Sequence, residues 1–288
     1  MQNDGSRYFH AILLTLLVLA LGSIVFGVLW SASDFYLTGL EERAHHDDFR
    51  MFRPAGEIGH GLGIAGSAMV LLLLLYSVRK RSRQMRTWGS LRTWLRYHIF
   101  LGVAGPVLIT LHTSFKINGL VALSYWSMAA VALSGVFGRY LYQQLPRNVL
   151  GEEMEPGPAE TRREEILVLL SERWGLDAQG LDTLEHFAMG RLEGRSAPSA
   201  MIRLPLLNIG LARGLLKLKL KGRQPLGAAG LELAREWVLL SRRLHLFHTI
   251  RDLFHWWHVF HKPFAVIMIV VMLVHVGVAV ALGYTWIY

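Results

Sequence analysis

The chain has 288 residues, of which 52% are hydrophobic, and this composition is too apolar for an ordinary soluble domain of that length. Its formal net charge is +9, but the basic residues cluster beside apolar segments, where they set membrane topology and contact anionic lipid, so no nucleic-acid partner is expected. The absence of cysteine excludes Cys-ligated iron–sulfur clusters, thioether-attached haem and disulfides.

Apolar stretches long enough to cross a bilayer recur along the chain. The first is longer than a signal-peptide core and is followed by a weak cleavage site, so we expect it to be retained. The five stretches are Tyr8–Trp30, Ile58–Val78, Leu95–Ile117, Leu120–Leu141 and His255–Leu282. The sequence therefore predicts an all-α, polytopic membrane bundle of about five transmembrane helices with a helical cytoplasmic insert. Residues 1–145 would hold four membrane helices, 146–251 the insert and 252–288 the fifth helix.

The orientation of the bundle follows from loop charges. The densest basic run covers residues 79–86, and the positive-inside rule places this short loop in the cytoplasm. The third and fifth apolar stretches then both run outward. We expect an integral protein of a bacterial inner (cytoplasmic) membrane, with a cytoplasmic amino terminus and a periplasmic carboxyl terminus.

The insert is polar enough to lie outside the membrane. Thr161–Trp174 and Leu231–Phe254 have helical periodicity, and Leu211–Lys221 is a basic amphipathic stretch that could lie on the inner membrane surface. The insert contains no Gly-x-Gly-x-x-Gly motif and no alternation of strands and helices typical of nucleotide binding. Its predicted role is docking or bracing.

Two pairs of histidines stand out in the apolar stretches. His98 and His112 are separated by fourteen positions in the third stretch, and so are His261 and His275 in the fifth. Fourteen residues of helix fall about 40° short of four turns and rise about 21 Å, so each pair leaves one helix face at two depths. Since both stretches run outward, His98 matches His261 at the inner level and His112 matches His275 at the outer level.

Opposed imidazoles at matching depths can clamp two flat, iron-centred cofactors between the helices. The competing interpretation is that these histidines are satisfied polar residues in helix–helix contacts, although intramembrane histidines are usually functional. Glycines could supply the space that a flat cofactor or a neighbouring helix needs. They occur at the start of the second stretch and in the third stretch: Gly59, Gly61, Gly63 and Gly66, then Gly102 and Gly105.

The third stretch from Leu95 to His112, together with His261-Lys262-Pro263 and His275, resembles the membrane di-haem cytochromes b. This group includes respiratory cytochromes b and ferric-reductase-like transmembrane cytochromes. The resemblance covers residues 56–139 and 255–282, and it implies two b-type haems and electron transfer between a quinone pool and a partner protein. No NADPH- or FAD-binding domain follows, so a self-contained ferric or oxygen reductase is not expected.

Other polar residues near these levels have predicted roles. Lys116 and Lys262 would neutralise haem propionates, or else extend to the interface as ordinary basic side chains. His60 is the candidate for proton exchange at a quinone site, with His46 and Asp47 passing protons onward; the alternatives are a structural histidine and a ligand of a third haem. Histidines 255 and 258 are expected at a helix entrance, with an inner quinone site as the alternative.

The predicted function is that of a di-haem cytochrome b, the electron-transfer subunit of a quinone-linked oxidoreductase complex. Its partners would be membrane lipid, quinone and a separate redox subunit, such as a multihaem cytochrome c, an iron–sulfur protein or a flavoprotein. The alternatives are a transmembrane reductase of external metal or oxygen, and a histidine-lined transporter of metal or protons. Transport is disfavoured because no carboxylate lies inside the third to fifth stretches.

Overall fold

The computed structural model describes residues 4–144, 156–190, 199, 203–211, 214–215 and 227–284, and in these ranges the chain is helical, without strands. Two short 3₁₀ turns lie at Arg43–His45 and Gln84–Thr87, and residues 203–211 are also helical. The α-helices are α1 (Asp4–Ser31), α2 (Ser33–Leu37), α3 (Phe49–Phe52), α4 (Glu57–Arg81), α5 (Leu91–His112), α6 (Leu120–Gln144), α7 (Pro156–Trp174), α8 (Ala178–Met189), α9 (Ala228–His245) and α10 (Phe247–Ala281).

Five helical segments are long and apolar enough to cross a membrane. They are Tyr8–Ser31, Phe49–Arg81, Leu91–His112, Val121–Gln144 and Phe247–Ala281. The predicted fold class, an all-α membrane bundle with five spanning helices, is confirmed. These helices indicate an integral membrane protein.

Several helix boundaries differ from the prediction, and two of the differences bear on the packing. Helix α5 ends at His112 instead of Ile117, because Ser114 and Phe115 adopt left-handed backbone conformations with φ of 49° and 60°. The helix predicted over Leu231–Phe254 is interrupted at Leu246. The buried side chain of Leu246 packs in a cluster with Leu141, Leu204 and Ile250. The predicted amphipathic stretch Leu211–Lys221 lies mostly outside the described residues.

Helices α4 and α5 pack along each other through small residues. A Cβ on Gly66 would lie 2.7 Å from Ile109 Cγ1, and one on Gly105 would lie 3.2 Å from both Gly66 O and Val70 Cγ2. Since apolar surface gains little by leaving lipid, such close van der Waals packing stabilises membrane helix pairs. Of the predicted bare face of the second stretch, Gly66 therefore serves helix packing, and Gly105 serves the same contact from α5.

Helices α6 and α10 are joined by a hydrogen bond from a serine side chain to the backbone and by a buried apolar cluster. Ser124 Oγ donates to Met268 O at 3.2 Å, and the surrounding buried cluster contains Val70, Met128, Met268 and Met272. Met268 lies midway in sequence between His261 and His275. An apolar layer with a polarizable lining thus separates the two histidines of α10.

The chain divides into two compact units, one of Met1–Val136 with Val259–Tyr288 and the other of Phe137–His258. The division falls inside α6 and α10. In the second unit, α7, α8 and α9 enclose a core that includes Ile166, Leu184 and Val238. Buried Arg242 joins α9 to the end of α8, donating to Ala188 O at 3.2 Å and Phe187 O at 2.6 Å.

Candidate functional site

The first predicted ligand, His98, faces α4. Its Nδ1 lies 3.3 Å from Leu73 O, and its ring lies 4.9 Å from that of Tyr76. A backbone carbonyl can only accept a hydrogen bond, so Nδ1 must carry the proton. In this neutral tautomer the lone pair of Nε2 is free to coordinate a metal.

The second predicted ligand, His112, is the last residue of α5. Its Nδ1 lies 2.8 Å from Gly59 O, which again assigns the proton to Nδ1 and the lone pair to Nε2. The imidazole lies against Gly63, where a Cβ would fall 2.6 to 2.9 Å from three of its atoms. Glycine at position 63 is therefore needed for this placement of the ring.

The third predicted ligand, His261, faces α6. Its Nδ1 lies 2.6 Å from Ser134 Oγ, and the Ser134 hydroxyl donates to Val131 O at 2.9 Å. The Ser134 hydroxyl has one proton and two acceptors in reach, so His261 Nδ1 either donates to Ser134 Oγ or accepts from it, according to the tautomer.

The fourth predicted ligand, His275, lies on the exposed surface of α10. In the part of the chain that the structure describes it has no hydrogen bond, but it is close enough to His112 for an electrostatic interaction. His60 is within the same range of His112. His60 and His275 thus both lie within electrostatic range of His112 at the end of α5. His98 and His261, in contrast, have hydrogen-bond partners on two different helices, α4 and α6.

These residues fit b-type haem by the chemistry of the donor set. Metal-ligating histidines almost always donate the second ring N–H to an oxygen acceptor, which fixes the tautomer and the ring orientation. His98, His112 and His261 each have an oxygen in position to accept such a bond. The fit is incomplete at His275, which lacks one among the described residues.

The other predicted site residues lie at the surface or near it. Lys116 is exposed beyond the end of α5, and Lys262 is exposed on α10, so both propionate assignments remain predictions. His46 accepts from the backbone N–H of Asp48 at 3.1 Å and packs against Phe35. Asp47 is exposed in the same segment.

Several polar residues around the histidines were not predicted. Ser134 contacts His261, and Tyr76 contacts His98. Both are polar side chains in apolar helices, which is the feature by which the sequence could have indicated them. His10 has its Nδ1 3.0 Å from the hydroxyl of Tyr97 on α5. Arg43, in a loop, is buried beside the end of α5, and loop arginines carry no sequence signal for burial.

Within the described ranges, no three or more His, Asp or Glu side chains converge as a bare metal ion would require. Bis-imidazole ligation uses two histidines per iron, so this observation does not bear on haem. Comparison of the chain with protein-family models, with curated proteins and with solved structures finds no match.

Proposed function

We propose that this chain is a membrane-embedded di-haem cytochrome b that moves electrons across the bilayer between a quinone site and a partner redox protein. His98 and His261 would hold one haem, and His112 and His275 the other. When bound, the haems would supply one-electron chemistry, which suits a quinol that releases its two electrons singly.

The observation that carries the proposal is the shared hydrogen-bonding state of His98, His112 and His261. All three are membrane-helix histidines whose Nδ1 lies 2.6 to 3.3 Å from an oxygen of a neighbouring helix, an arrangement that suits Nε2 as the ligand nitrogen. His10 and His258 also have Nδ1 within hydrogen-bonding distance of an oxygen, so the assignment of ligands also depends on the fourteen-residue spacing of the two histidine pairs. His275 lies within electrostatic range of His112, which is compatible with their pairing.

The remaining parts of the proposal come from charge and position. The basic residues that end α4, Arg79, Lys80 and Arg81, favour a cytoplasmic loop. In the proposed orientation, the amino terminus is inside, the carboxyl terminus is in the periplasm, and the His112–His275 level is at the outer face of a bacterial inner membrane. His60, near His112, is the proton-exchanging group proposed for a quinone site there.

In this proposal the chain's own residues orient the haem ligands and shield the haems from water. The oxygen acceptors orient the imidazoles, and the apolar layer around Met268 keeps water from the space between the two levels. The partner would be a separate redox subunit, so the chain would act as the electron-transfer part of an oxidoreductase complex.

Visible spectroscopy of the purified protein tests the proposal. The oxidised and dithionite-reduced spectra should be those of low-spin b-type haem, and acid acetone should extract about two haems per chain because no cysteine is present to hold them covalently. Protein purified from haem-sufficient cells without b-type haem would refute it. A spectrum that changes with metal or oxygen instead of quinol would favour the reductase alternative.

A further inference from the structure

The segment between α1 and α4 contains a buried arginine. Arg43 is 7% exposed, and its guanidinium lies 5.1 Å from the centroid of the Phe35 ring. Its Nε and Nη2 donate to Thr38 O at 3.2 and 2.7 Å, Nη2 also donates to Tyr36 O at 3.0 Å, and Nη1 donates to Ser114 O. These partners are all neutral carbonyl oxygens, so they satisfy the donors without neutralising the charge.

Arg43 contacts the chain at the end of the helix that carries His112. Ser114 follows His112 by two residues and has a left-handed backbone conformation. The carbonyl end of a helix has a partial negative charge, which a cation complements. The bond from Arg43 to Ser114 O therefore holds a positive charge at the carboxyl end of α5.

The same segment makes two more bonds to this end of α5. The Tyr36 hydroxyl donates to Leu111 O at 3.3 Å, and the Ser114 hydroxyl donates to Phe52 O at 2.8 Å. Burial raises the pKa of Tyr36, while the charge of Arg43 opposes that rise, and the hydroxyl stays protonated and able to donate at neutral pH. The last turn of α5 is thus fixed from both sides of His112.

The charge of Arg43 is screened less than those of its neighbours. Glu41, Glu42 and Asp47 are exposed, and exposed charges interact through water and its ions. A buried charge acts through a medium of low effective dielectric constant. Arg43 is therefore expected to contribute more to the field near His112 than any of these three exposed carboxylates.

We propose that Arg43 is a positioning residue for the His112 haem: it fixes the last turn of α5, and its buried charge makes that haem easier to reduce than the other. This rests on the proposed function. Reduction adds one electron to the haem, which a nearby fixed cation favours. If the charge and the haem iron were about 10 Å apart in a medium of effective dielectric constant about 20, the interaction would give roughly a tenfold change in the ratio of reduced to oxidised haem.

Redox titration of the purified protein, followed by visible absorbance, tests this inference. The haem of the His112 level is identified as the one missing from His275→Ala. Arg43→Gln should keep both haems and lower the reduced-to-oxidised ratio of the His112 haem about tenfold at a fixed potential, with the other haem unchanged. Arg43→Lys should keep most of the wild-type ratio. Arg50→Gln, which removes an exposed charge from the same segment, is the matched control and should change neither haem.

Unchanged titration curves in Arg43→Gln, with both haems present, would overturn the inference but leave the proposed function intact. If Arg43→Gln loses the His112 haem, Arg43→Lys decides: a retained haem with a near-wild-type ratio supports the role of the charge, and loss in that variant also overturns it. Wild-type protein without haem would overturn the proposed function and this inference with it.

Discussion

The imidazole of His112 occupies the space that a side chain at position 63 would take. A Cβ on Gly63 would lie 2.6 Å from Nδ1 and 2.7 Å from Cε1 of the ring, and the ring is held there by the 2.8 Å bond to Gly59 O. The orientation of a candidate ligand on α5 therefore depends on a missing side chain on α4.

Replacing Gly63 with alanine should displace His112. The His112 ring cannot move away from the new methyl group without losing its bond to Gly59 O. If the ring stays in place, the steric overlap costs about 1–3 kcal/mol. We expect purified Gly63→Ala to contain about half the wild-type haem. Gly61→Ala is the control, because a Cβ at Gly61 meets nothing within 4 Å. Equal haem content in the two variants would show that the His112 ring can move freely.

Removing single ligands should remove single haems. His275→Ala should lose the His112–His275 haem and keep the other, whereas His261→Ala should lose the His98–His261 haem, because an iron left with one imidazole is held weakly. Haem extracted per chain and the reduced spectrum measure this directly. His255→Ala, an exposed histidine on the same helix, should keep both. Near-complete retention in both ligand variants, and in His112→Ala, would refute the assignments.

Ser134→Ala should weaken the haem held by His261 without abolishing it. The change removes the hydrogen-bond partner that lies 2.6 Å from His261 Nδ1, and loss of such a partner typically lowers metal affinity about 10–100-fold. Haem retention during competition with apomyoglobin measures the affinity. Ser124→Ala is the matched control, since Ser124 also joins α6 to α10 but contacts only the backbone at Met268. A similar change in both variants would mean that helix packing, and not the histidine, is affected.

His60→Gln tests the proposed quinone site. If His60 exchanges protons with quinone, the variant should keep both haems but lose rapid haem reduction by quinol, since glutamine cannot titrate. Stopped-flow absorbance after quinol addition, together with haem content, separates the outcomes. Unchanged kinetics would exclude His60 from the site, and loss of a haem would indicate ligation.

Topology can be measured with reporter fusions at Lys80 and at Tyr288. The loop-charge argument predicts opposite locations, cytoplasmic for Lys80 and periplasmic for Tyr288. A fusion within the insert should report the cytoplasm. Agreement between Lys80 and Tyr288 would mean that the helix count or the charge argument is wrong.

The sequence was sufficient for the fold class and for the choice of candidate ligands. Twenty or so consecutive apolar residues have one stable form in a bilayer, the helix, because every backbone group must be hydrogen-bonded internally. The spacing of His98 and His112 determines which helix face they share, because the helix rises and turns by a constant amount per residue. Local regularity of this kind needs no tertiary information.

Only the tertiary structure decided what each histidine contacts. The partners Gly59 and Leu73 precede their histidines by tens of residues, and Ser134 precedes His261 by more than a hundred. Such pairings depend on how helices rotate against one another, which small residues at the α4–α5 contact determine. The buried position of Arg43 has the same origin, because a charged loop residue becomes buried only when several separate segments supply carbonyl oxygens to its donors at one place.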